Sequence, residues 1–158
     1  MQIHVTIEDG QVRAMLGKLA DRMGNLTPVM RNIGEIVRTS IERNFEAGGR
    51  PDKWPLSGRV KSAGGQTLSD RGILRRSFTV RGYPDRAEVG TNVKYAAIHQ
   101  SGGVISAKNR PYLRFKIGGT WASKKSVTMP ARPFLMVQDE DWPKMTQYLG
   151  KYFIEGTA

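Results

Sequence analysis

Apolar positions along this 158-residue chain change period several times, and each change marks an element. Over residues 2–7, Ile3, Val5 and Ile7 alternate with Gln2, His4 and Thr6, the pattern of a half-buried strand. Asp9 can then cap a helix whose stripe is Val12, Leu16, Leu19 and Met23, closed by Gly24-Asn25. Thr27-Pro28 suits the start of a second helix. Val29, Ile33, Ile36, Val37, Ser40, Ile41 and Phe45 keep its spacing through Ala47, and Gly48-Gly49 stops it. Residues 48–69 are rich in Gly, Pro, Ser and Lys and read as a long loop, with Trp54 and Leu56 pinning its start. Asp70 is expected to cap a short helical turn, RGILRRSF, that turns Ile73, Leu74 and Phe78 inward.

Period two then returns. SFTVRGY and RAEVGT form an expected hairpin across Pro84-Asp85. YLRFKI and TWASKKSV form a second one, at 112–127, across Gly118-Gly119. Between them NVKYAAIHQSGG reads as a short helix ended by Gly102-Gly103. From Asp139 to about Phe153, Trp142, Met145, Leu149, Tyr152 and Phe153 recur at helical spacing behind three acidic residues placed to suit the helix dipole. The segment MPARPFL joins the second hairpin to this helix. Pro130 and Pro133 each lack an N–H, and the residues before them, Met129 and Arg132, avoid the α region, so the joint is stiff and extended. The expected fold is α+β in a single domain over 1–158. It has a small antiparallel or mixed sheet of about four to six strands packed on two N-terminal helices and a C-terminal helix, with the long loop and an extended hairpin outside.

Charge sharpens the picture. The formal net charge is +11, but residues 1–49 balance, residues 50–125 carry sixteen basic and four acidic side chains, and residues 126–158 are slightly acidic. A field concentrated in the middle of the chain suits an acidic partner, a nucleic acid backbone or a lumen through which DNA passes. With no cysteine, disulfides and thiolate zinc sites are excluded. No signal-peptide pattern opens the chain and no run reaches the roughly 18 apolar residues of a membrane span, so retention in the cytoplasm and no membrane partner are expected.

Catalytic chemistry finds little support. His4 and His99 lack a partner at metal spacing. No P-loop, nucleophile elbow or dinucleotide fingerprint occurs. A metal nuclease would need converging carboxylates, for which the basic middle offers only Asp70, Asp85 and Glu88. No cofactor is expected. A nucleic-acid-binding module is the alternative function, although Tyr83, Tyr95 and Tyr112 are scattered and no helix carries a stripe of Arg and Lys.

Four blocks in order carry a resemblance: NFEAGGRPDKWPLSGRV, LSDRGILRRSF, EVGTNVKYAAIHQSGG and MPARPFL, followed by an amphipathic helix. Over roughly residues 40–155 the chain resembles the phage virion morphogenesis family, the tail completion proteins of Mu-like tailed phages. The matching positions are Trp54, Pro55 and Leu56; Gly72, Leu74 and Ser77; Gly90, Tyr95, Ala96, His99, Gly102 and Gly103; and Pro130, Arg132, Pro133, Phe134 and Leu135. The resemblance implies a non-enzymatic protein of the virion, at the head–tail junction or tail end, assembled in the host bacterial cytoplasm. Its expected partners are copies of itself in a ring, a hexamer favoured, other neck, portal-side or tail proteins, and passing DNA. Arg132, Trp54, Lys61, Arg110, Lys124 and Lys125 are the candidate interface residues.

Overall fold

The long helix foreseen over residues 27–47 organises everything else. In the computed structural model, which describes residues 10–117 and 119–156, it is α2 (Thr27–Ala47), preceded by α1 (Gly10–Met23). The strand expected over residues 2–7, His4 and the Asp9 cap lie outside the described residues. Thr27 is already helical and offers no side-chain cap; instead its N–H donates to Asn25 Oδ1 at 3.1 Å. Gly48 closes α2 in the left-handed region, φ 68°.

One face of α2 carries a hairpin of β1 (Thr79–Gly82) and β2 (Ala87–Gly90), paired antiparallel with Val80 opposite Val89. The approach is very close. A Cβ on Gly34 would lie 2.4 Å from Val80 Cγ1, and one on Gly82 would lie 2.7 Å from the carbonyl oxygen of Thr27. Only glycine permits the strand to lie this near the helix. Another face of α2 meets the C-terminal helix, with Asn32 Nδ2 donating to the Tyr148 hydroxyl at 2.9 Å.

The C-terminal half of α2 supplies the core. Ile41 and Phe45 pack with Trp54, Leu74, Phe78 and Phe134. Phe45 meets Trp54 edge-on at 5.4 Å between ring centres, and Phe134 at 5.4 Å. A short helix, α3 (Gly58–Ala63), lies in the loop before β1, and β2 is followed by α4 (Ala96–Ser101), β3 (Gly103–Ser106), β4 (Leu113–Ile117), β5 (Thr120–Lys124), β6 (Ser126–Met129) and α5 (Asp141–Glu155). The α+β class and, among the described residues, six short strands, all paired antiparallel, agree with expectation. Their arrangement differs: three two-stranded ladders replace one sheet. Only Lys125 separates β5 from β6, and Ala107 N–H donates to its carbonyl, so β3–β6 and β4–β5 form one bent ribbon. Its two faces do not share a layer with β1 and β2, which are held by α2.

Four expectations need correction. The apolar stripe of α1 is exposed at Val12, Met15, Leu16 and Met23, because only the end of this helix docks. There the Arg22 guanidinium donates to the Phe153 and Ile154 carbonyls at the end of α5, and the Tyr152 hydroxyl donates to Asn25 O. RGILRRSF forms turns rather than a helix, burying Leu74 and Phe78 but leaving Ile73 exposed. Trp142 is 59% exposed, since α5 turns Met145 and Tyr152 inward instead. The loop at 48–69 is partly regular: Ser57 caps α3 by accepting from Val60 N–H, while Leu56, expected as an anchor, is exposed.

Candidate functional site

The MPARPFL segment runs across the molecule as a strap, and the reason it stays extended lies in its neighbours. Its prolines have no N–H to give a ladder, so beyond β6 its backbone groups turn mostly to side chains. Gln100 of α4 accepts from the N–H groups of Phe134 and Leu135 through Oε1, both at 3.0 Å, and donates to the Leu135 carbonyl. Asn44 of α2 donates to the Phe134 carbonyl at 2.9 Å, and the Trp54 indole donates to that of Pro133 at 2.9 Å. Arg132 N–H donates to the His99 carbonyl at 2.8 Å. Where α4 ends, Gly102 has φ 70° and a Cβ there would lie 2.7 Å from Ala131 N, so the helix end presses on the strap's backbone.

Beside the strap lies a groove of about 750 Å³, mainly apolar. Leu56, Ile73, Tyr95, Ile105 and Phe115 are among its walls; Leu74, His99 and Arg132 lie deep in it. Thus the structure gathers matching positions from all four sequence blocks: Leu56; Gly72 and Leu74; Tyr95 and His99; and Pro130 and Arg132. Pro55 contributes through its carbonyl, which accepts from Arg132 Nε at 2.8 Å. Gly90 sits apart in β2, and Gly103 opens β3.

Two candidate interface residues prove to be interior ones. Trp54 is buried because Phe45 and Phe134 enclose its ring while its N–H reaches Pro133. Arg132 is only 3% exposed. It pairs with none of Asp139, Glu140 or Asp141: Glu140 bonds Arg50 at 2.5 Å, and Asp141 accepts from Gln138 N–H at 3.0 Å. Lys61, Arg110, Lys124 and Lys125 are all exposed. The candidate carboxylates do not converge into one centre. Asp85 and Glu88 both hold Arg86, at 3.2 and 3.0 Å, while Asp70 faces Arg59 at 3.8 Å. Among the described residues no group of three or more His, Asp or Glu is placed to hold a metal.

Electrostatics distinguish the depth of the groove. Burial lowers the Arg132 pKa from its ordinary value. Burial first, and the Arg132 charge second, lower that of His99. His99 Nδ1 is enclosed with no hydrogen-bond partner, and its ring meets Tyr95 edge-on at 5.9 Å. The neutral imidazole is therefore the native form. An unfolded chain takes up the proton first as pH falls through about 6.5, so stability is full above that value and declines below it. Melting temperature is expected to fall between pH 7.5 and 5.5, and His99→Gln to flatten that decline; an identical slope in the variant would remove His99 as its source.

Sequence reasoning did not foresee the roles of Gln100, Asn44 and Gln138. A signal existed for Asn44, an amide on the apolar stripe of α2 beside Ile41 and Phe45. Gln100 lies in a helix of only six residues and Gln138 in the irregular stretch before α5, where no periodicity points to them.

The site thus combines a strap held by amide side chains, an open groove and a basic two-stranded ribbon. The chain belongs to the phage virion morphogenesis family, whose profile matches residues 7–153. It is 33% identical over 152 residues to the Mu-like prophage FluMu G protein 2 of Haemophilus influenzae, covering 96% of each chain. No solved structure matches it. The family assigns it to the making of phage virions and points to a structural role. No helix among the described residues is long and apolar enough to cross a membrane.

Proposed function

We propose that this chain is a structural subunit of a tailed-phage virion, acting in tail completion or head–tail joining as part of a ring at the neck or tail end. One observation carries the reading. The bent ribbon, residues 103–129, contains no acidic residue, and its six cations are all exposed: Lys108, Arg110, Arg114, Lys116, Lys124 and Lys125. A two-stranded ribbon of this charge can reach a neighbouring subunit, and where it lines a lumen it gives the passing DNA backbone a favourable field. Rings follow from heterologous contacts that close under rotation. Exposed Val12, Leu16 and Met23 on α1, with Trp142 on α5, supply apolar area for such contacts.

Negative-stain imaging of concentrated protein, with duplex DNA binding and cleavage measured on the same sample, tests the reading. Closed rings without cleavage support it. A monomer at every concentration that binds duplex DNA tightly and salt-sensitively would favour a nucleic-acid-binding module instead.

A variant isolates the ribbon's contribution. Lys124→Glu with Lys125→Glu alters exposed side chains only, so folding stability is expected to change by no more than about 0.5 kcal/mol. Complementation of a phage lacking the protein should fall by at least tenfold. Full complementation by a stably folded double variant would take the ribbon's charge out of assembly.

A further inference from the structure

The groove beside the strap holds a cation without a counter-charge. Arg132 is almost wholly buried, its Nε is satisfied by a neutral carbonyl, and no carboxylate pairs with it among the described residues. A guanidinium taken out of water this far is costly unless an anion meets it, and its planar fork binds a carboxylate with two parallel hydrogen bonds. The surroundings repeat the imbalance. Arg59, Arg71 and Arg114 border the groove against a single acid, Asp70, which already faces Arg59 at 3.8 Å.

Shape narrows the ligand further. Val127, Thr128 and Met129, three consecutive residues of β6, all border the groove, as do Leu113, Arg114 and Phe115 of β4. Side chains alternate between the faces of a strand, so consecutive lining residues mean that strand backbone as well as side chains borders the groove. An extended segment can bond such exposed backbone while its side chains enter the apolar walls.

This chain's own exposed apolar surfaces fit poorly. The α1 face carries Arg13, Lys18 and Arg22 against Asp21, the wrong sign for a basic groove. The acidic stretch before α5 is held in place, since Gln138 donates to Asn44 and to the Arg50 carbonyl, and Arg50 bonds Glu140.

We propose that the groove is a docking site for an extended, apolar segment of a different protein, bearing an Asp or Glu whose carboxylate pairs with Arg132. The biological setting rests on the virion-assembly reading; the binding chemistry does not, and peptide binding and ring formation are measured separately, so either can fail alone.

The test selects binders to the purified full-length chain from a displayed library of random nonapeptides. Enriched peptides are expected to combine β-branched or aromatic residues with at least one Asp or Glu. Their synthetic forms should bind at least tenfold more weakly to Arg132→Gln and to Ile105→Glu. Ile105 is on the exposed wall, so its variant keeps the test alive if Arg132→Gln fails to fold. An absence of enrichment, binders without a carboxylate, or affinity unchanged by Ile105→Glu would overturn the proposal. Binders that reproduce a stretch of this chain would also overturn it, assigning the groove to a second copy.

Discussion

Replacing Phe45 with alanine is expected to lower folding stability by about 3–5 kcal/mol, the range for truncating a fully buried phenylalanine. Phe45 has no exposed surface and sits where α2, the loop, the turns after Asp70 and the strap converge. Its ring touches those of Trp54 and Phe134 at 5.4 Å and that of Phe78 at 6.2 Å between centres. Removal deletes the apolar burial and leaves a cavity that three aromatic rings, each held by its own element, cannot collapse to fill. Trp54 has least freedom to move, because its indole N–H is committed to Pro133. Phe45→Leu should cost less, about 1–2 kcal/mol, since much of the volume remains. Urea midpoints for both variants check this; a loss below about 1 kcal/mol for alanine would mean that the aromatic cluster is not the main core.

Phe45 was legible in advance because α2 keeps one period over its whole length, and a helix of that length with a single stripe has to bury it. The hairpins were legible for a similar reason: alternation plus a turn fixes a register locally. Legibility stops where a local pattern leaves the partner open. The stripe of α1 is as regular as that of α2, yet Val12, Leu16 and Met23 remain exposed, since periodicity says that a face seeks cover and not which surface supplies it. β3 escaped notice because all four of its residues are exposed, so it has no alternation to read; its existence depends on pairing with β6.

The site was half legible for the same physical reason. All four sequence blocks supply residues that border the groove, while other matching positions, among them Trp54, Gly90 and Phe134, lie outside it. Arg132 between two prolines reads as a presented side chain, whereas Trp54, expected to pin the start of the loop, does so from within the core. Both point inward because the strap's carbonyls and N–H groups, which no ladder can serve, require side-chain partners. The Trp54 indole and the amides of Asn44 and Gln100 supply them, and the Arg132 guanidinium in turn finds the Pro55 carbonyl.

Asn44 ties the strap to the rest of the fold, and Asn44→Ala is expected to destabilise it by about 2–4 kcal/mol, although the residue is small and uncharged. It is fully buried. Its Nδ2 donates to the Phe134 carbonyl at 2.9 Å, and its Oδ1 accepts from Arg50 Nε at 2.9 Å and from Gln138 Nε2 at 3.2 Å. Alanine removes all three bonds at once. The Phe134 carbonyl loses the partner that the fold provides, and Arg50 loses the acceptor that orients its guanidinium between Ser40 and Glu140. Gln138 keeps only the Arg50 carbonyl. Most of the cost thus arises from polar groups left buried without partners rather than from lost volume. That distinguishes this variant from Phe45→Ala: Asn44→Leu, which restores bulk but no hydrogen bonds, should be no more stable than Asn44→Ala. Because Arg50 shares the network, Asn44→Ala and Arg50→Ala should be non-additive by about 1 kcal/mol or more. Denaturant unfolding of the two single variants and the double variant measures that coupling; additive losses would mean that the Asn44–Arg50 bond adds nothing, and a loss below about 1 kcal/mol for Asn44→Ala would mean that the strap is held by Gln100 and Trp54 without help from α2.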